Sequence, residues 1–209
     1  DHRDLHKEYR RQRQMCIRDR SMIALTLLNA NSSPALLQAG ASSQIITPPN
    51  PTYLAGLRNN RLSQGIHDDL FARCLILDDG KTQVGFVSTD LIGLTSTDIT
   101  EIRNRAKLIG SSAENVIITA THQHSGPDTI GLWGKSEYHS GVDLNYTDFL
   151  YNQIASAIKE ARDNLEPAEI SFGSSQIKES DRISRNAREP NLIDRELGIS
   201  KSTTIMEKR

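Results

Sequence analysis

Two strand-forming runs separated by a helical pattern constrain the fold more than any other feature of this sequence. The first run covers residues 83–88, and the second, which is nearly continuously apolar, covers 115–120. Between them, apolar side chains recur at helical spacing over 99–109, and Ser96 or Thr97 can serve as the N-cap. A strand, a helix and a strand in this order predict a parallel crossover, and the apolar run predicts a second strand covered on both faces.

Other segments add to this unit. A strand-like pattern over 39–47 stops at a double proline, and the strand-forming run 70–77 lies at hairpin distance from 83–88, which predicts an antiparallel pair. A helix is predicted from about 146 to 165, because apolar positions form one stripe, and a further strand at 168–172. The expected fold class is therefore α/β, with a mixed sheet and packed helices.

Composition excludes several classes of function. A net charge of -1 gives no basic field for nucleic acid, and 36% hydrophobic residues are enough for a buried core. The two cysteines, Cys16 and Cys74, have no spacing typical of a zinc ribbon or a disulfide framework. No apolar run approaches the ~18 residues that a transmembrane helix needs.

The first 36 residues are predicted to lie outside the domain. Residues 1–20 are crowded with charge, and the run 15–20 resembles translated sequencing-adapter sequence. The alternative is a basic arm for anionic membranes or nucleic acid, although its positive charges alternate with Asp and Glu. Residues 21–36 combine a short apolar run, which resembles a weak signal peptide, with a polar linker. Deleting residues 1–20 is expected to leave stability unchanged.

The motif Thr-His-Gln-His-Ser-Gly-Pro at 121–127 follows the apolar run directly, at the point where the chain leaves the sheet. If the extended conformation continues through it, His122 and His124 project to the same side. Imidazole is a good zinc ligand, but catalytic zinc needs about three protein ligands, so two histidines are not enough. The alternative is an ordinary pair of polar loop histidines.

The motifs along residues 37–197 resemble those of the neutral, non-lysosomal ceramidases and their bacterial relatives. Six short segments occur in the order found in that family: 45–49, 54–56, 65–68, 71–73, 87–91 and 121–127. The usual third residue of the last motif is Thr where this chain has Gln123, a substitution that should be tolerated if the side chain points away from the site. The resemblance implies that residues 37–199 are the incomplete N-terminal part of a larger catalytic domain and that 200–209 are a non-family tail.

In such enzymes zinc activates a water that attacks the N-acyl amide of ceramide and releases sphingosine and a fatty acid. The resemblance implies that His122 is a zinc ligand and that His124 stabilises the developing oxyanion or carries a proton. It also implies an arginine that binds substrate, for which Arg188 in the polar, turn-rich segment 178–194 is favoured. The family takes another histidine, a glutamate and a tyrosine from later segments. The 209-residue chain is therefore expected to be an inactive fragment.

The implied partner is a lipid, ceramide or a related N-acyl compound, which allows peripheral membrane contact; no nucleic acid is expected. The weak signal-like segment favours a secreted or periplasmic protein. Two alternatives stay open. One is a zinc hydrolase of the same family that acts on another amide or ester. The other is a binding or structural domain whose loop histidines hold no metal.

Other polar and aromatic residues have two interpretations each. His67 and Asp69 could approach a second metal, but a satisfied loop histidine is favoured. Asp90 could orient a ligand histidine, or it could cap the turn that follows. Trp133 and Tyr138 could form an apolar rim for a lipid chain, although loop aromatics more often pack on the domain.

Overall fold

The computed structural model describes residues 37–178, 186, 188–189 and 192–204. Six strands and two helices lie within these residues. In chain order they are β1 (Gln38–Ile45), β2 (Phe71–Asp78), β3 (Gln83–Thr89), α1 (Ser96–Leu108), β4 (Val116–Ala120), α2 (Leu144–Asp163), β5 (Glu166–Gln176) and β6 (Glu196–Thr204). The strands form one sheet in the order β4-β3-β2-β1-β5-β6. The predicted N-terminal segment, 1–36, lies outside the described residues.

The predicted hairpin and the predicted crossover are both confirmed. Strands β2 and β3 pair antiparallel, and β3 and β4 pair parallel with α1 connecting them. The N-cap of α1 is Thr95, not Ser96 or Thr97 as predicted. The Thr95 side chain accepts from the backbone N–H of Asp98, and the Asp98 carboxylate accepts from the backbone N–H of Thr95. This capping box satisfies two backbone donors, and it fixes where the helix begins.

The core lies between the helices and one face of the sheet. Alternate residues of β2, among them Cys74 and Ile76, are buried against Leu150, Ile154 and Ile158 of α2. Tyr146 of α2 is also buried, and its hydroxyl donates to the backbone carbonyl of Ile46 at 2.8 Å. Burial of these apolar faces is the main stabilising term, and it holds the C-terminal ends of β3 and β4 in place.

Strand β4 lies at an edge of the described sheet, and the prediction that it is covered on both faces is wrong. Val116 is buried, but Ile117 points away from the helices and is 55% exposed. The backbone N–H of Gly85 in β3 donates to the carbonyl of Asn115. Because successive carbonyls along a strand point to opposite sides, the carbonyl of Val116 points to the free edge. There it accepts from Arg103 Nη2 at 2.9 Å.

Strand β5 is longer than the predicted strand at 168–172. Its first two residues pair with β1, and the rest pairs with β6 in an antiparallel ribbon from Ala168 to Gln176. Strand β6 was not predicted, and it crosses the expected boundary near residue 200. Among the residues that the structure describes, neither helix has both the length and the apolar character that crossing a bilayer requires.

Candidate functional site

The histidine motif begins one residue after β4. The backbone N–H of Thr121 still donates to the carbonyl of Thr89 at 2.9 Å, and the chain then turns because His122 adopts a positive φ of 59°. The predicted extended conformation therefore does not continue through the motif. The imidazoles of His122 and His124 nevertheless meet, with ring centroids 5.2 Å apart and an interplanar angle of 73°. Both residues are exposed, so their free ring nitrogens are open to solvent.

The tautomer of His122 is set by the loop after β3. Its Nδ1 lies 2.7 Å from the carbonyl oxygen of Ile92. Since a carbonyl oxygen only accepts, Nδ1 carries the proton and donates, which leaves the lone pair of a neutral imidazole on Nε2. Histidines that bind metals are commonly held in this way by a backbone carbonyl. In a neutral His122 this hydrogen bond leaves the Nε2 lone pair available to an incoming group.

His124 is held by the loop between β1 and β2. Its ring lies on Gly56, whose φ is 90°, and a Cβ at that position would come within 2.3 Å of His124 Cγ. The guanidinium of Arg61 donates to two carbonyls, that of Ala55 at 3.3 Å and that of His124 at 3.5 Å. The same loop therefore supports the side chain of His124 and its backbone.

Backbone hydrogen bonds join the motif and this loop on both sides of the contact. The amide of Ala55 donates to the carbonyl of Gly126 at 2.9 Å, and the amide of Asp128 donates to the carbonyl of Tyr53 at 2.8 Å. The two segments thus pair as short extended stretches around Leu54 and Pro127. Such pairing fixes the direction in which the motif leaves β4.

The loop after the motif is organised by one buried carboxylate. Asp128 is 1% exposed, and it accepts four backbone N–H groups at 2.7–3.1 Å. The donors are Ile130, Gly131, Trp133 and Gly141. Trp133 in turn donates from its indole to the carbonyl of Leu57, which ties this loop to the one that supports His124. Trp133 therefore packs on the domain, whereas Tyr138 is 86% exposed.

Asp90 does not orient either histidine. Its carboxylate accepts from the amide of Phe71 and from Arg73, each at 3.0 Å. The carboxylate thus binds β2. These two contacts match neither of the two predicted roles, which were to orient a ligand histidine or to cap the next turn. The backbone carbonyl of Asp90 does reach the motif, because it accepts from Gln123 Nε2 at 3.0 Å.

His67, Asp69 and Arg188 lie in exposed segments. The ring of His67 is held by its neighbour Asp68, and the carboxylate of Asp69 accepts from Thr47, so these contacts do not join His67 to Asp69. Arg188 is exposed, and its amide donates to Asn186. Among the described contacts none links its guanidinium to His122 or His124. In the described part of the chain, no group of three or more His, Cys, Asp or Glu residues is placed to hold a metal.

Comparison with known proteins identifies the family. The family model described as "Neutral/alkaline non-lysosomal ceramidase, N-terminal" matches residues 39–189, which is more than half of the chain. The chain belongs to this ceramidase family. One curated relative of the family, the neutral ceramidase of Pseudomonas aeruginosa, is 26% identical over 154 residues, which are 68% of this chain and 22% of the relative.

Two solved ceramidase structures share the fold. The crystal structure of neutral ceramidase from Pseudomonas aeruginosa superposes with a TM-score of 0.66 at 19% identity, covering 81% of this chain and 30% of that one. A structure described as ceramidase complexed with C2 gives a TM-score of 0.68 at 20% identity, covering 81% and 29%. The chain thus spans about a fifth of the curated ceramidase and less than a third of the solved ones.

Sequence reasoning named the two histidines of this ceramidase-family chain but missed what supports them. Gly56 lies in one of the segments that carry the family resemblance, yet a glycine in the sequence does not show that the ring of His124 packs on it. Arg61 and Asp128 are single polar residues in loops, without any recognisable spacing. Their roles depend on backbone carbonyls and N–H groups that only the folded chain brings together.

Proposed function

We propose that this chain is the N-terminal part of the catalytic domain of a zinc-dependent amidohydrolase that cleaves the N-acyl amide of ceramide into sphingosine and a fatty acid. The observation that carries the proposal is the histidine pair, with centroids 5.2 Å apart at the end of a parallel strand, inside the segment that matches the ceramidase family. Ligands of α/β sheets commonly bind at the C-terminal ends of such strands.

His122 would hold the zinc through Nε2. The hydrogen bond from Nδ1 to the carbonyl of Ile92 supports this assignment, because it fixes the neutral tautomer and orients the ring. When bound, zinc in such a site makes water easier to deprotonate, and so supplies a nucleophile that can attack an amide near neutral pH. His122 itself would provide a fixed direction for one bond, because its ring is held by the carbonyl of Ile92.

His124 would act on the substrate amide. Its ring stands edge to face with His122 and is open to solvent, so a substrate carbonyl or amide nitrogen can approach it. There it would donate a hydrogen bond to the amide oxygen as negative charge develops, or carry a proton to the leaving nitrogen. Arg188 would bind substrate from the exposed segment in which it lies.

The described residues bring two histidines together, and no third ligand group stands beside them. Since catalytic zinc needs about three protein ligands, we propose that further ligands come from residues outside the described part. The 209-residue chain alone is then expected to bind zinc weakly and to be inactive. Robust hydrolysis of ceramide by this chain would contradict the ligand count.

The substrate class implies further properties of the whole protein. A lipid substrate favours peripheral contact with membranes, and the net charge of -1 gives no support for nucleic-acid binding. A secreted or periplasmic location is proposed from the apolar run within residues 21–36. A related hydrolase could instead act on another amide or ester, and a panel of N-acyl substrates would separate these two activities.

The decisive experiment uses a protein extended to the length of its relatives. We expect His122→Ala to lose both zinc and ceramide hydrolysis, and His124→Ala to keep zinc and lose mainly kcat, by about 100-fold or more for a lost proton-transfer group. His139→Ala is the matched control, because His139 is exposed and bonds only to Ser136 among the described contacts. Fatty acid release and metal content are measured on the same samples. Full activity of the His122→Ala protein would overturn the proposal. If the extended protein contains no metal but still binds ceramide, a non-catalytic binding domain would be favoured.

A further inference from the structure

The side chain between the two histidines points to the opposite side of the motif. Gln123 and Ser125 line a cleft of about 590 Å³, together with Pro127 and residues of the loop between β1 and β2, whereas neither histidine lines it. The motif therefore has two sides. One side presents the imidazoles, and the other carries Gln123 against the body of the domain.

The amide of Gln123 makes two hydrogen bonds that need both of its functional atoms. Its Nε2 donates to the carbonyl of Asp90 at 3.0 Å, and its Oε1 accepts from the amide of Ser125 at 2.6 Å. The orientation of the amide is fixed by these partners, since the reverse would place oxygen against oxygen. Only a side chain with a donor and an acceptor at this length can make both bonds.

The two hydrogen bonds of Gln123 form a bridge between Asp90 and Ser125, and both ends of this Gln123 bridge are themselves anchored. Asp90 directly follows β3, and its carboxylate is held by the amide of Phe71 and by Arg73 of β2. On the other side, Ser125 is the residue after His124. The space beside the bridge is filled, because a Cβ at Gly126 would lie 2.0 Å from Gln123 Nε2. A rigid connection thus runs from β2 and β3 to the backbone of His124.

The backbone at His122 makes such a connection necessary. A residue other than glycine with a φ of 59° is in a conformation that side chains disfavour, so it persists only where surrounding contacts impose it. The hydrogen bond from His122 to Ile92 fixes the ring before the turn, and the Gln123 bridge fixes the backbone after it. Without the bridge, the backbone at His122 could relax to more common conformations, which would change the mutual orientation of the two rings.

We infer that Gln123 is a positioning residue, which sets the mutual orientation of His122 and His124 by connecting the end of β3 to the turn that carries His124. The inference rests on the proposed function only in treating the histidine pair as a site. Gln123 itself is assigned no contact with substrate or metal.

The test measures the geometry of the pair by NMR on the 209-residue chain, and it needs no turnover. In the unchanged chain the ring centroids are 5.2 Å apart, so we expect a nuclear Overhauser effect between protons of the two rings. We expect Gln123→Met, which has nearly the same volume and no hydrogen bonds, to reduce this inter-ring signal several-fold. Gln123→Glu keeps an acceptor for Ser125 but loses the donor to Asp90, and the signal should fall as well.

Gln153→Met is the matched control. Gln153 is also half-buried, and its Nε2 donates to the backbone carbonyl of Ile45 at the same distance of 3.0 Å, but far from the motif in sequence. Both Met variants should lose stability in urea, Gln123→Met more so because it loses two hydrogen bonds and not one, while only Gln123→Met should change the inter-ring signal. This difference separates positioning from a general structural role.

An unchanged inter-ring signal in a folded Gln123→Met or Gln123→Glu chain would overturn the inference and leave the proposed function intact. If Gln123→Met does not fold, the Gln123→Glu chain decides by the same criterion. Conversely, failure of an extended protein to hydrolyse ceramide would overturn the proposed function but would leave the positioning role of Gln123 standing.

Discussion

The ring of His124 rests directly on the backbone of Gly56, so closely that a Cβ at this glycine would stand 2.3 Å from Cγ of the imidazole. The glycine is also in a left-handed conformation, with a φ of 90°. Two constraints therefore act at one position, one from the backbone and one from the packing of the ring. Position 56 accepts no larger residue without displacing His124.

The first prediction follows from this contact. Gly56→Ala should lower the free energy of unfolding by about 1–3 kcal/mol. A left-handed backbone is strained once it carries a Cβ, and the new methyl group collides with the ring. The substitution should also shift the NMR signals of the His124 ring. Gly65→Ala is the control, since a Cβ at Gly65 meets nothing within 4 Å. Equal unfolding curves for the two variants would contradict the steric account.

The second prediction concerns Asp128, whose carboxylate accepts four backbone N–H groups. Asp128→Asn places an NH2 group against two of these four donors, and it should destabilise the chain by about 1–3 kcal/mol or more. Trp133 is the only tryptophan, so its fluorescence should report loosening of this loop at lower urea than the global transition. Asp143→Asn, at the N-cap of α2, should be nearly neutral because Asn caps helices as well as Asp does.

The third prediction concerns the thiol of Cys74 in the core. Burial raises the pKa of Cys74 to about 12 from its ordinary value of 9.0. In a Cys16→Ser background, the folded chain should resist thiol reagents in mildly alkaline buffer and react after unfolding, because the thiolate is the nucleophile. Rapid stoichiometric labelling of the folded chain would show that the core opens.

The same shift in pKa makes stability depend on pH. Below pH 9.0 the thiol of Cys74 is protonated in the folded and the unfolded chain alike, and its contribution is fully present. Between pH 9.0 and about 12 the unfolded chain releases the proton while the folded chain retains it, so the free energy of unfolding falls as pH rises. Cys74→Ala should show a shallower decline across this interval, and parallel declines would rule the thiol out as a cause.

The fourth prediction concerns the hydrogen bond between α2 and the residue after β1. Tyr146→Phe leaves the buried carbonyl of Ile46 without the hydroxyl that donates to it, and it should cost about 1–3 kcal/mol. Tyr138→Phe removes a hydroxyl from a residue that is 86% exposed, and its urea midpoint should match that of the unchanged chain.

The sequence predicted the parts of the fold that depend on apolar periodicity. The parallel crossover through α1 and the hairpin of β2 and β3 are as expected, because strand-forming runs and apolar residues at helical spacing are visible in the sequence. Strand β6 could not be found in this way. It pairs with an equally exposed stretch of β5, and its Gly, Ser, Lys and Thr residues bury no face that would impose a period.

The approach of the two motif histidines was predictable from the sequence, but the geometry by which they meet was not. The spacing of His122 and His124 indicated a pair, yet the rings meet through a left-handed turn and not through the expected extended conformation. The direction of a turn depends on its surroundings, here the Gln123 bridge and the carbonyl of Ile92, which come from loops distant in sequence. The true N-cap, Thr95, lies one residue before Ser96 and two before Thr97, the predicted positions, although Thr95 and Asp98 carry a capping-box signature.

The guanidinium of Arg103, placed at the free edge of β4, bears on how this chain behaves with other copies of itself. Unpaired strand edges recruit further strands and seed aggregates, and the exposed Ile117 would strengthen such an association. Arg103 already donates to the carbonyl of Val116, so an incoming strand would have to compete for this acceptor. An arginine on α1 thus disfavours the addition of strands from other copies of the chain at β4, the strand that directly precedes the histidine motif.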